Sequence, residues 1–217
     1  MELKIFTSEE EFVTKSADYI ESCSNFEGAK MALSGGSTPG PVYKALAKRE
    51  LYDFKKPVFF MVDERYVPAT DPKSNYKLIA EALPEAHLHS FDTDLPIDEC
   101  VKDYEDKLHE YLNGPLNLCI LGIGTDGHFA SIFPNSPAIS EKENIAMHTQ
   151  TDQHDVKDRL TMTMPLIMQS EKLLVLTKGA DKWEIIQKLS DESIDADAFP
   201  ARHLMNHHSL LIHHLQI

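Results

Sequence analysis

Positive charge is scarce in this sequence. Lysine and arginine together number 21 against 35 aspartates and glutamates, a formal charge of −14 over 217 residues. The arginines are only Arg49, Arg65, Arg159 and Arg202. A nucleic-acid surface needs clustered Lys and Arg to replace the counterions of phosphates, so nucleic acid is excluded as a partner. An anionic metabolite is not excluded, but it needs a local basic pocket. Cysteine is sparse too. Cys23, Cys100 and Cys119 form no C-x-x-C pattern, and their odd count and wide spacing suit reduced thiols in a cytosol. No apolar run approaches the ~20 residues of a membrane span. The opening Met1-Glu2-Leu3-Lys4-Ile5-Phe6, running into Ser8-Glu9-Glu10-Glu11, has neither the basic nor the apolar stretch of a secretory signal. A cytoplasmic protein with no membrane partner is expected. With no repeat, low-complexity tract or linker, one domain over residues 1–217 is expected.

Strand and helix signals alternate along the chain. Leu3–Phe6 predicts a strand. Ser8 with Glu11 three residues on is a capping box, starting a helix to about Ser24. Lys30–Leu33 is a strand, and Thr38-Pro39 caps a helix over about Pro39–Lys48. Pro57–Val62 is the continuous apolar run of a strand buried on both faces. Helices follow over Asn75–Leu83 and Ile97–Leu112, the latter stopped by Asn113-Gly114-Pro115. Leu116–Leu121, Ile145–Thr149, Leu160–Met164 and Leu173–Thr177 predict strands, Asp181–Leu189 a helix, and Leu210–Leu215 a last strand or short helix. This alternation implies an α/β fold, a mainly parallel sheet with helices on both faces. Ligands bind such sheets beyond the carboxyl ends of the strands, which directs attention to three loops.

The first, Ser34-Gly35-Gly36-Ser37-Thr38-Pro39-Gly40, is either a tight strand-to-helix turn or a cradle in which helix N–H groups hold an anion. It is not a Walker loop, lacking Gly-Lys-Ser/Thr. It is not a nucleophile elbow, because Pro39 stands where the last glycine would. The second, Asp63-Glu64-Arg65-Tyr66-Val67-Pro68, sets three charges at the mouth of a buried strand. It is either a salt-bridged turn or a place where Arg65 forks onto a phosphate or carboxylate. The third, Gly122-Ile123-Gly124-Thr125-Asp126-Gly127-His128, fits G-x-G-x-x-G but is a poor dinucleotide fingerprint so late in the chain. His128 is expected to open a helix at the sheet mouth. There it is either a structural residue or a base, oriented by Asp126, that takes a proton from water.

Six segments in order give these residues a context. Ser34–Pro39, Val62–Pro68 with Ser74-Asn75, Leu121–Pro134, Arg159–Thr163, Lys178–Lys182 and Pro200-Ala201 resemble the motifs of the 6-phosphogluconolactonases, within the sugar-phosphate isomerase and lactonase superfamily. The resemblance implies a Rossmann-like sheet (NagB/RpiA/CoA transferase-like), hydrolysis of a sugar-phosphate lactone in the oxidative pentose phosphate pathway, no cofactor, no metal, and a monomer or weak homodimer. It implies His128 as the base that activates water, Asp126 as its orienting partner and Arg65 as the active-site arginine. It implies Arg159 and Lys182 as phosphate-facing cations, with Gly35, Gly36, Ser37, Thr38, Asp63 and Asn75 completing the substrate-binding set. A lactone asks for a base, an oxyanion donor and an anchor for its remote phosphate, and for no covalent nucleophile.

Two rival functions remain. An amino-sugar-phosphate isomerase or deaminase on the same fold would carry a carboxylate where Phe133 stands. A sugar-phosphate sensor that binds without turnover would carry a helix-turn-helix ahead of the domain. The C-terminal stretch departs from the family pattern: His203, His207, His208, His213 and His214 fall within twelve residues. They form either a metal site or a polar terminal element.

Overall fold

The chain runs β1 (Glu2–Phe6), α1 (Glu9–Ser24), β2 (Lys30–Leu33), α2 (Pro39–Ala47), β3 (Val58–Met61), β4 (Asp63–Arg65), α3 (Asn75–Ala82), β5 (Leu88–His89) and α4 (Ile97–Tyr111). It continues through β6 (Leu118–Leu121), β7 (Ala146–Gln150), β8 (Asp158–Met162), α5 (Met164–Met168), β9 (Leu173–Lys178), α6 (Ala180–Leu189) and β10 (Leu210–Leu215). The computed structural model describes all of residues 1–217.

Seven strands form a parallel sheet in the order β1-β10-β9-β6-β2-β3-β5. Every residue of β6 and β10 is buried, which requires cover on both faces and explains why these strands lack alternation. From β2 the chain steps outward through β3 to β5, and after α4 it returns to the other side of β2 as β6. The strand order therefore reverses between β2 and β6, and the loops after these strands leave in opposite directions. A crevice opens at such a switch point. Two buried tyrosines fasten its rim: Tyr43 donates its hydroxyl to the Ser34 carbonyl at 2.9 Å, and Tyr104 donates to the Met61 carbonyl at 2.5 Å.

Four expectations need correction. The strands expected over Ile145–Thr149 and Leu160–Met164 do not join the parallel sheet; with β4 they make a separate antiparallel sheet, β4-β8-β7. Asp63-Glu64-Arg65, expected as a loop, is strand β4. Its charges hid its strand character, because their partners come from distant segments. His128 does not open a helix; a tight turn with a Phe129–Ile132 bridge follows it, and Ala130 adopts a positive φ of 50°. Leu210–Leu215 resolves as a strand. At the helix starts, Ser8 accepts from Glu11 N–H as the capping box requires, whereas Thr38 makes no side-chain cap.

The C-terminal histidines are spread through the structure. His207 Nε2 lies 2.8 Å from the Ser170 carbonyl, His203 pairs with Asp197, and His213 and His214 sit on successive, opposite-facing positions of β10 beside Ser16 and Thr177. No three of them converge as metal ligands. His213 is 1% exposed, and burial, aided by Lys4, pushes it from 6.5 down to about 4. The folded state thus holds the ring neutral while the unfolded chain protonates it near 6.5. Its stabilising contribution is complete above that pH and is lost as pH falls toward about 4. The loss amounts to about 3 kcal/mol, at about 1.4 kcal/mol per unit. Thermal melts of the wild type and His213→Gln between these pH values check this: the variant's melting temperature is expected to vary less with pH.

Candidate active site

The crevice between β2 and β6 is lined by the loop Ser34–Pro39, by Asp63 and Arg65 of β4, by Asn75, by Gly122, Ile123, Gly124 and His128 after β6, by Ala130, and by Leu176, Thr177, Lys178 and Lys182. All but two of the residues expected in the site thus line one cleft. Asp126 stands behind it, in contact with the ring of His128. Arg159 faces an adjoining cleft with Lys73, His154 and Asp155, and of the expected residues only Arg65 belongs to both clefts. Arg159 and Lys182, both expected to face a phosphate, thus line two clefts that share Arg65. β8 carries Arg159 into register opposite Arg65 of β4.

The centre of the site is the Asp126–His128 pair. Asp126 Oδ1 lies 2.5 Å from His128 Nδ1 and also accepts from the His128 backbone N–H at 3.2 Å. A proton on Nδ1, donated to that carboxylate, leaves Nε2 with a lone pair facing the cleft. Burial pushes the Asp126 carboxyl up, but the hydrogen bonds and charge of His128 outweigh it and hold Asp126 at about 2. Gly124 makes the pairing possible. A Cβ there would stand 2.1 Å from His128 Nδ1 and 2.6 Å from Asp126 Oδ1. The loop is drawn tight by Gly124 N–H on the His128 carbonyl at 2.8 Å and Gly127 N–H on the Gly124 carbonyl at 3.1 Å.

Cationic groups ring this pair. Lys182 donates Nζ to the Ile123 carbonyl at 2.9 Å, so its ammonium is anchored at the end of β6 without a carboxylate to neutralise it. Lys178, by contrast, ion-pairs with Glu9 at 2.8 Å. The N-termini of α2 and α6 both open on the cleft, each with N–H groups that no helical carbonyl can satisfy. Arg65 donates to the Lys73 carbonyl at 2.6 Å. Opposite it, Arg159 donates Nε to the Val156 carbonyl at 2.9 Å and lies over the Phe133 ring. Burial and then the charge of Arg65 pull the Arg159 guanidinium below its ordinary range. Two like charges directly opposite in a ladder are destabilising unless an anion uses them.

Three buried polar atoms without a protein partner, Ser34 Oγ, Arg65 Nε and Asn75 Oδ1, belong to residues of this cleft. Such orphans are uncommon in folded interiors and mark places where a ligand supplies the partner. Asn75 donates to the Asp63 carbonyl at 3.0 Å, and Ser131 donates to Asp63 Oδ2 at 3.0 Å. Asp63 and Asn75 thus brace each other's segments at the cleft wall. A Cβ on Gly35 would come within 2.2 Å of Asn75 Oδ1, so only glycine allows this approach.

Thr177 in the cleft, Ser131 against Asp63 and His154 outside the cleft were not expected. Thr177 is the next-to-last residue of β9, the strand beside the central β6, and the rule that carboxyl ends carry ligands was a sufficient signal for it. His154 lay in a segment with no periodicity to place it. Its ring sits 5.2 Å from that of His128 and 5.8 Å from Phe133, between centroids. Burial, His128 and Arg159 push it below the ordinary imidazole range.

Comparison with known proteins gives one answer along nearly the whole chain. The family model described as glucosamine-6-phosphate isomerases/6-phosphogluconolactonase matches residues 7–212. A probable 6-phosphogluconolactonase of Dictyostelium discoideum is 34% identical over 189 residues, covering 82% of this chain and 80% of that protein. The 6-phosphogluconolactonase of Thermotoga maritima is 35% identical over 158 residues, 70% of each. Its crystal structure superposes with a TM-score of 0.84 at 27% identity, covering 100% of both chains. A 6-phosphogluconolactonase structure from Shewanella baltica reaches a TM-score of 0.90 at 20% identity, a likeness of fold. No helix is long and apolar enough to cross a membrane.

Proposed function

The chain belongs to the glucosamine-6-phosphate isomerase/6-phosphogluconolactonase family, and from that membership we propose that it hydrolyses 6-phospho-D-glucono-1,5-lactone to 6-phospho-D-gluconate, the second step of the oxidative pentose phosphate pathway. The observation that carries this reading is the Asp126–His128 pair at the mouth of β6, with one imidazole nitrogen committed to the carboxylate and the other free in a cationic cleft. Asp126 fixes the tautomer. His128 Nε2 takes a proton from water as the oxygen attacks the lactone carbonyl, general-base help of about 10²–10⁴-fold. Arg65 donates to the oxyanion that forms. The tetrahedral intermediate then breaks its bond to the ring oxygen, and the imidazolium returns its proton to that oxygen. The new carboxylic acid releases its proton to solvent.

The phosphate, in this reading, lies against Lys182, the loop Gly36-Ser37-Thr38 and the N-terminus of α2. Arg65 bridges toward the carbonyl, and Arg159 adds positive potential behind it. Anchoring the remote phosphate lowers the entropy cost of bringing the carbonyl to the water. Phe133, 4% exposed and packed 5.0 Å from the His128 ring between centroids, supports hydrolysis over amino-sugar isomerisation. That rival needs an acid at this place to move protons between carbons. Turnover of 6-phosphoglucono-lactone, corrected for its spontaneous opening, against turnover of glucosamine 6-phosphate tests the reading. Hydrolysis of the first with no reaction of the second is expected; the reverse sinks it.

A substitution that adds no charge tests the pairing itself. Gly124→Ala forces its new methyl into the Asp126–His128 contact, so one side chain has to swing away. The expected result is a turnover loss of roughly tenfold to a hundredfold with an unchanged far-ultraviolet circular dichroism spectrum. Full turnover in this variant would mean that the pair is not needed in this geometry.

A further inference from the structure

His154 comes from the loop between β7 and β8, outside the cleft that the proposed reaction uses, yet its ring leans over the ring of His128 at an interplanar angle of 76°. One donor atom from each of Asp126, His128 and His154 falls within 4.8 Å of the other two. These are two imidazole nitrogens and one carboxylate oxygen, from two segments, meeting at a partly open surface. We propose that Asp126, His128 and His154 form a binding site for a zinc ion, and that a zinc ion held there stops turnover.

The donor set selects the metal. Two imidazoles and one carboxylate are a borderline set that suits Zn²⁺. Mg²⁺ and Ca²⁺ prefer all-oxygen shells with more ligands. Three protein ligands leave a fourth position of the tetrahedron for water. The three donors need only modest rearrangement: Asp126 Oδ1 and His128 Nδ1, 2.5 Å apart across a shared proton, have to part to the ~3.3 Å of two ligands around one tetrahedral zinc, and His154 is exposed on the β7–β8 loop. The cationic walls work against a divalent ion. Arg65, Lys73 and Arg159 line the cleft from which His154 approaches, and of these Lys73 is already paired with Asp155. The site is therefore one of moderate affinity, filled and emptied with free zinc, unlike a permanently loaded structural site.

The inhibitory consequence rests on the catalytic reading above. On Nδ1 of His128, zinc would replace the proton that Asp126 holds. On Nε2 it would occupy the lone pair that takes the proton from water. Either way the base is lost. The cysteines offer no competing route, since Cys23, Cys100 and Cys119 are all buried.

Calorimetric titration of the full chain with ZnCl₂, beside lactone turnover at rising free zinc, tests the proposal. The wild type is expected to bind zinc reversibly and lose turnover in step with occupancy, with EDTA restoring it and MgCl₂ having no effect. His154→Ala, which removes a ligand and leaves the proposed base untouched, is expected to keep turnover without zinc. It is also expected to need roughly tenfold more zinc, or beyond, both to bind and to be inhibited. His154→Cys, which restores a zinc ligand, is expected to recover sensitivity. Equal zinc titrations for wild type and His154→Ala, or binding without loss of turnover, would overturn the proposal. The calorimetric arm does not depend on turnover, so a chain without lactonase activity that still shows a His154-dependent zinc isotherm would sink the catalytic reading and leave the metal site standing.

Discussion

Replacing His128 with alanine is expected to lower lactone turnover about a hundredfold or more, the scale of a lost general base, while affinity for the phosphate end of the ligand stays nearly intact. The two effects separate because the groups that carry them are separate. His128 touches Asp126, Phe133 and His154, while Lys182 is held by the Ile123 carbonyl and the loop Gly36-Ser37-Thr38 leads directly into α2. Removing the imidazole leaves those anchors in place. The Michaelis constant should therefore move little while turnover collapses, the signature of an interaction used only in the transition state. Asp126→Asn refines the test. A carboxamide can offer its N–H₂ to Nδ1 and so favour the tautomer with its proton on Nε2, where no base remains. A loss approaching that of His128→Ala is expected, although the shape of the pair is kept. Because the lactone opens spontaneously, the uncatalysed rate has to be subtracted at each substrate concentration. A His128→Ala enzyme with wild-type turnover after that subtraction would remove the base from the mechanism.

Much of this site could be read from the residues because its strands announce themselves. Pro57–Val62 and Leu116–Leu121 are apolar without interruption, and a strand of that kind has to lie inside a covered parallel sheet. The loops that follow are then constrained to one edge of the sheet. Glycine-rich turns at Gly35-Gly36 and Gly122–Gly127 stand out because a backbone there needs room for side chains from elsewhere, and Gly35 and Gly124 each accept such a neighbour. What could not be read is the contribution of the small antiparallel sheet. β4 is three charged residues, and a strand of charge has no hydrophobic period to betray it. Its pairing with β8 sets Arg159 opposite Arg65 and thereby in the neighbouring cleft; no spacing between residues 65 and 159 encodes that register. The turn after His128 was missed for a similar reason. Ala130 takes a left-handed backbone without being glycine, held there by tertiary contacts and not by local preference.

Substituting Glu64 by alanine is expected to be among the most damaging single changes to stability. Glu64 is 1% exposed, and its carboxylate joins two segments, β4 and the start of α3. Oε1 accepts from the backbone N–H groups of Arg65 and Asn75, both at 2.7 Å. Oε2 accepts from Ser74 Oγ at 2.9 Å and from Tyr76 N–H at 2.8 Å. Three of these donors belong to the start of α3, where the orphan N–H groups of a helix need an acceptor and its dipole favours negative charge. Alanine would leave all four donors without that acceptor, two of them in buried and two in part-buried bonds. Burial pushes the Glu64 carboxyl up, and the four donors pull it down without fully cancelling that rise. The carboxylate's own desolvation therefore offsets part of what the donors contribute, and the net loss comes to about 3–4 kcal/mol. For a chain of this size that corresponds to a fall of roughly 10 °C in melting temperature. Glu64→Gln keeps one oxygen as acceptor and turns an N–H₂ toward two donors, so it should fall between alanine and the wild type. The consequence reaches the cleft, because the same carboxylate sets the backbone of Arg65 and Asn75, which face the proposed substrate. Turnover should therefore decline in Glu64→Gln even at temperatures where the variant is fully folded. A Glu64→Ala protein that melts within about 1 kcal/mol of the wild type would mean that water or a rearranged β4 satisfies those donors. The position of Arg65 would then have to be held by the β4–β8 ladder alone.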